Sequence, residues 1–126
     1  MRLAVLILLL IPFLAFAGLD AAYHLRGRKP GLAENLLHLA LGGSQAFAVV
    51  GAFRGDTPRV LAAGVLVAVL GATDEYGFHH ALPARESDLH AKSHLALFVF
   101  LVAALALAAF PDGAAFLRAL RGEAAP

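Results

Sequence analysis

Residues 3–19 read LAVLILLLIPFLAFAGL and contain no charged side chain. A run of this kind has no polar face to offer water. Its length approaches the roughly 20 residues that carry a helix across a hydrocarbon core about 30 Å thick. Three more runs follow. Leu32 to Phe53 is interrupted only by Glu34, Asn35 and His38 among its chemically active residues. Val60 to about Leu82 carries Asp74, Glu75, His79 and His80 at its end. The last begins near Leu89 with His90, Lys92 and His94, then is wholly apolar from Leu95 to Phe110. In lipid a segment must satisfy its backbone polar groups internally, so these runs are read as helices. The expected spans are 3–22, 32–53, 58–82 and 88–110, forming one transmembrane domain over residues 1–126.

The bulk composition agrees. Only 15% of residues are charged, against about 25% in ordinary soluble chains. Mean hydropathy is +0.77, and the formal net charge of +1 supplies no basic face for nucleic acid. With no cysteine in the chain, thiolate metal sites, disulfides and cysteine nucleophiles are excluded. Any metal must be held by nitrogen and oxygen.

The breaks are short and polar. Arg26-Gly27-Arg28-Lys29-Pro30-Gly31 separates the first two runs, and Arg54-Gly55-Asp56-Thr57-Pro58-Arg59 the next two. Asp56 or Thr57 is placed to cap the third helix, with Pro58 in its first turn. Pro83 to Asp88 precedes the fourth. Short connections make neighbouring helices antiparallel, so the expected fold is an all-α, up-down-up-down transmembrane bundle. Beyond Phe110, in residues 111–126, Phe116, Leu117 and Leu120 alternate with Arg118 and Arg121, which suggests a short helix lying on the membrane surface; a frayed tail is the alternative.

Ala15-Phe16-Ala17 behind Met1-Arg2 resembles a secretory cleavage site. Cleavage there would discard the first helix but keep Asp20 and His24, whose partners are expected on the other helices, so retention is the expectation. Basic residues divide evenly between the two ends of the bundle, and the positive-inside comparison is a tie. The signal-like start favours an inside N-terminus, with the histidines toward the outer face of an inner or plasma membrane.

The chemistry lies in a recurring pattern. Asp20 and His24 close the first helix, and Glu34 and His38 open the second. Glu75 and His79 close the third, flanked by Asp74 and His80; Glu86, His90 and His94 open the fourth. Residues four apart share one helix face. In an antiparallel bundle the ends of helices one and three meet the starts of helices two and four, so all these groups gather on one side of the membrane. They sort into two layers: Asp20, His38, Asp74 or Glu75, and His94 deeper, and His24, Glu34, His79 or His80, and His90 nearer the surface. Mixed carboxylate and imidazole in stacked layers is the ligand set of two-metal sites in helix bundles. Of adjacent Asp74 and Glu75 only one is expected to point inward.

Burial cost supports a shared site. A charged acid at a helix centre costs about 2.5–3.5 kcal/mol on insertion scales, less near the interface. Such residues usually face the bundle interior and pair there. Lys92 and Arg85 neutralise a few acids at most; a divalent cation neutralises several at once. The expected direct ligands are His38, Glu75, His79, His90 and His94, with Asp20, Glu34 and Asp74 bridging or orienting them. His24, His80 and Glu86 could also serve as ordinary interfacial residues. Imidazole and carboxylate suit iron, zinc or manganese, and iron or zinc is the expected ion.

The acid-xxx-His pairs, followed by Glu75-Tyr76-Gly77-Phe78-His79-His80, resemble those of small bacterial four-helix membrane proteins. That resemblance brings no known activity. His90-Ala91-Lys92-Ser93-His94 and His79-His80 are also similar to the histidine boxes of membrane di-iron hydroxylases and desaturases, which have more histidines, differently spaced, on a larger chain. The similarity implies a di-iron centre, while those departures count against hydroxylase activity; the two-layer ligand set itself is what suggests a centre acting on a lipid-soluble substrate. Three functions are therefore open: a His/carboxylate metal site acting as oxidoreductase or hydrolase, a b-type haem protein, or a non-enzymatic proton or ion pathway or subunit that works with a membrane partner protein.

Overall fold

The computed structural model describes residues 2–27, 30–79, 83–110 and 121–122. Four helices account for nearly all of them: α1 (Arg2–Gly27), α2 (Leu32–Arg54), α3 (Thr57–Asp74) and α4 (Ala84–Ala109), with a π-turn (Glu75–His79) extending α3. No strand occurs among the described residues. At 1.5 Å per residue, the 26 residues of α1 make a rod about 39 Å long. Each helix, with α3 counted through the π-turn, is long and apolar enough to cross a membrane. The expected surface helix after Phe110 and the candidate ligand His80 lie outside the described residues, apart from a turn at Arg121–Gly122.

Helix-breaking chemistry sets the boundaries. Gly55 ends α2 in the left-handed conformation, φ 71°, where a Cβ is strained. The Arg2 guanidinium packs against the same glycine, so a Cβ there would also have to displace it, while its Nη2 donates to the Ala52 carbonyl at 2.6 Å. Asp56 caps α3: its Oδ1 accepts from the Arg59 amide at 3.1 Å, and Pro58 follows in the first turn. The last helix begins at Ala84, directly after Pro83, one turn earlier than the sequence pattern suggested. That extra turn moves every residue of α4 relative to α1, with consequences at the site.

The helices pack as two pairs, α1 against α4 and α2 against α3, with few contacts between α1 and α2. Leu6 and Phe13 of α1, Leu41 and Ala52 of α2, Val60 and Val67 of α3, and Leu97 and Phe100 of α4 make one core. Outward faces remain apolar: Leu3, Leu8 and Leu14 of α1, Val65 of α3 and Phe98 of α4 are all exposed. In water such faces would be an aggregation liability. Contacts between the helix ends fix the antiparallel order. Arg2 meets Ala52 at one end, and His24, His38, His79 and His90 meet at the other.

Candidate metal centre

Four helix ends deliver the cluster. Five imidazoles form a contiguous set: His24 touches His38 and His79, His79 touches His90, and His90 touches His94, with ring centroids 4.5 to 5.3 Å apart. Carboxylates fill the spaces between them. His24, Glu34, Asp74, His79, Glu86 and His90 are all buried.

The inward acid of helix three is Asp74. It has 0% of its surface exposed, while the neighbouring Glu75 side chain is half exposed. The expected alignment of Glu75 with His79 holds for an α-helix, where residues four apart coincide. Here the chain closes a π-turn over Glu75–His79. With i→i+5 bonding the turn contains an extra residue, and the residue five positions before His79 is brought beside it. Asp74 Oδ2 therefore lies 3.3 Å from His79 Nδ1. Glu75 reaches the cluster only from its edge, with Oε2 3.7 Å from His90 Nε2.

The early start of α4 makes a second change. The expected layering set His90 beside His24 and His94 beside Asp20. Instead Glu86 Oε1 is 3.3 Å from His24 Nδ1, and Asp20 Oδ2 is 3.0 Å from His90 Nδ1. His94 falls one turn further along the bundle, next to Gly71, where an added Cβ would come within 3.0 Å of its Cε1. It has no hydrogen bond among the described residues and stands outside both ligand sets described below. Glu86 takes the place expected of an outer ligand. Its signal was in the sequence, as the acid of the Glu86-xxx-His90 pair, but a glutamate in the first turn of a helix also suits the helix dipole.

Two groups of atoms converge. One ligand atom each from His24, Glu34, His38 and His79 lie within 4.8 Å of one another, and so do atoms of Asp74, His79 and His90. In the first, His79 Nε2 is 3.1 Å from His24 Nε2 and 3.5 Å from Glu34 Oε1. In the second, His79 Nδ1 is 3.3 Å from both His90 Nε2 and Asp74 Oδ2. His38 sits between them, its Nε2 3.1 Å from Asp74 Oδ1.

Donors are short. Both Asp74 oxygens, Asp20 Oδ1 and Glu86 Oε1 are enclosed and make no well-aligned hydrogen bond among the described residues; the groups nearest Asp74 and Glu86 are imidazole nitrogens at 3.1 to 3.3 Å. Buried carboxylates without donors are costly. The cations nearest in sequence do not relieve them: Lys92 Nζ pairs with Asp88 at 2.6 Å on the exposed face, and the Arg85 guanidinium stacks on the Tyr23 ring. Lone pairs of nitrogen and oxygen that face one another, with oxygens lacking a well-aligned hydrogen bond, fit a divalent cation bound by hard and borderline ligands.

Two clefts flank the cluster. One, of about 310 Å³, lies between α1 and α2 where those helices barely touch, with Ala17, Leu41 and Gly42 on its walls and His38, Asp74 and His90 below. The other, of about 400 Å³, lies between α3 and α4 and is bordered by Gly71, Glu75 and Ser87. Beyond it a groove of about 260 Å³ runs past Gly64, Ala68 and Phe98. His94 borders all three.

No family model matches the chain, and neither a curated protein nor a solved structure shows significant similarity to it.

Proposed function

We propose that this chain is a multi-pass membrane protein whose four helix ends hold a His/carboxylate metal centre of the iron or zinc type near one membrane face, and that the centre acts on a lipid-soluble substrate as an oxidoreductase or hydrolase. One observation carries the reading: six residues converge in two sets that share His79, His24, Glu34, His38 and His79 in one and Asp74, His79 and His90 in the other, around carboxylate oxygens without a well-aligned hydrogen bond. A bound ion would supply Lewis-acid or redox activation of water or oxygen.

The chain's own residues divide the remaining work. His24, Glu34, His38, Asp74, His79 and His90 supply the ligand atoms. Asp20 accepts from both flanking imidazoles, its Oδ2 from His90 Nδ1 at 3.0 Å and its backbone carbonyl from His24 Nδ1 at 3.2 Å, which fixes their tautomers and leaves each Nε2 lone pair directed inward; Glu86 Oε1 stands beside the same His24 nitrogen at 3.3 Å. His94 stands at the clefts without a hydrogen bond among the described residues, and is positioned to take or return a substrate proton. The mainly apolar cleft walls exclude water and suit a hydrocarbon chain.

The test is elemental analysis of detergent-purified protein beside two variants. Near-stoichiometric iron or zinc is expected in the wild type and in His94→Ala, and loss of it in a His24→Ala, His90→Ala double variant. A wild type free of metal, or a double variant that keeps it, sinks the proposal.

A second reading has one specific observation in its favour. Asp20, His90, His79, His24 and Glu86 form a continuous line, with successive nitrogen–oxygen or nitrogen–nitrogen separations of 3.0, 3.3, 3.1 and 3.3 Å. Such a line suits proton relay. Both its ends lie at the same end of the bundle, so it serves local proton storage rather than passage across the membrane. The haem alternative gains no support from imidazoles packed tilted or edge-on against one another.

A further inference from the structure

We infer that His79 bridges two metal ions, one held at each of its ring nitrogens, so that the centre is binuclear and joined by an imidazolate; this rests on the metal-binding reading above. The two converging sets have His79 in common, and they meet it on opposite edges of the ring. On the Nε2 edge stand His24 and Glu34. On the Nδ1 edge stand His90 and Asp74.

Protonation alone serves these atoms poorly. A neutral imidazole carries a proton on one nitrogen and a lone pair on the other. Whichever tautomer His79 adopts, its bare nitrogen can accept from the imidazole beside it, His90 or His24, but it also faces a carboxylate oxygen at 3.3 or 3.5 Å that this bond leaves unserved. A doubly protonated ring would donate to both acids, but it adds no donor for Asp20 Oδ1 and puts a positive charge among four other imidazoles. Two cations satisfy both edges together. They also offset most of the charge: Asp20, Glu34, Asp74, Glu86 and the deprotonated bridge would carry five negative charges, and two divalent ions bring four positive ones. Binding of the second ion releases the remaining ring proton to solvent, which gives the bridge its negative charge within the ligand set.

The ring sets the spacing. With metal–nitrogen distances of about 2 Å on either side, the ions stand about 6 Å apart. Carboxylate-bridged pairs are closer, at about 3.5–4 Å. A small molecule can enter between ions at the wider spacing, beneath the α1–α2 cleft.

Copper(II) is a suitable probe because nitrogen and oxygen sites bind it most tightly among the divalent first-row ions and it reports spin coupling. The full chain in detergent, stripped by chelator, is titrated with copper(II) and followed by electron paramagnetic resonance. Two ions per chain are expected, with the signal per copper falling several-fold at the second equivalent as the spins couple through the ring. Glu34→Gln and Asp74→Asn, which alter one edge each and keep His79, should each bind one ion with full signal. Two ions with undiminished signal, or saturation at one ion in the wild type, overturn the bridge and leave the metal centre standing. No bound ion overturns both.

Discussion

At the scale of single residues, the contrast between Asp74 and Glu75 is the sharpest available. They are neighbours of the same charge, yet one is enclosed and the other half exposed. Asp74→Asn should weaken binding of the zinc ion on the His79 Nδ1 side at least about a hundredfold, at or beyond what loss of an outer partner costs. Glu75→Gln should change it less than about tenfold. Competition with a chromophoric chelator measures both, and equal effects would remove Asp74 from its assigned place. Sequence spacing alone could not choose between the two acids, because residues four apart coincide only if the helix stays α-helical to its end. His94 was obscured for a related reason. Its pairing with Asp20 depended on where α4 begins, and Pro83 starts that helix a turn earlier than the apolar pattern did. His38, His79 and His90 were legible because each lies near a helix end that topology alone brings to the cluster.

Among the elements, the π-turn has the most specific role. Such turns amount to one extra residue in an α-helix. Removing that residue should restore α-helical spacing and leave Asp74 four positions from the histidine, on the same face. Deletion of Tyr76, whose side chain points outward, is therefore expected to retain metal within about tenfold of wild type. Metal content after deletion checks this, and complete loss would mean that the turn does more than adjust register. The helices themselves were readable from their apolar runs, since few other sequences place so many uncharged residues in succession. The turn was not: nothing in Glu75-Tyr76-Gly77-Phe78-His79 distinguishes five-residue from four-residue bonding before tertiary contacts choose between them.

For the whole molecule, the antiparallel order places the metal ligands at one end and the Arg2–Gly55 contact at the other. If the four helices span a bilayer as proposed, these ends face different compartments. The chain has no native cysteine, so single introduced thiols report without interference. Arg54→Cys and Ser87→Cys, placed at opposite ends of the bundle, should label with an impermeant maleimide from opposite sides of sealed vesicles. Labelling of both from the same side would refute the topology. Whichever side carries Ser87 also identifies the face of the centre, which the even distribution of basic residues left undecided.

The sparse contact between α1 and α2 has a kinetic meaning in that setting. A substrate that reaches the centre through the side cleft arrives by two-dimensional diffusion, already dissolved in hydrocarbon. Its effective concentration is then its mole fraction among the lipids, not its amount per volume of buffer. Adding inert lipid at constant total substrate would slow turnover, while adding buffer would leave it unchanged, and the membrane itself would set the dose that the site experiences.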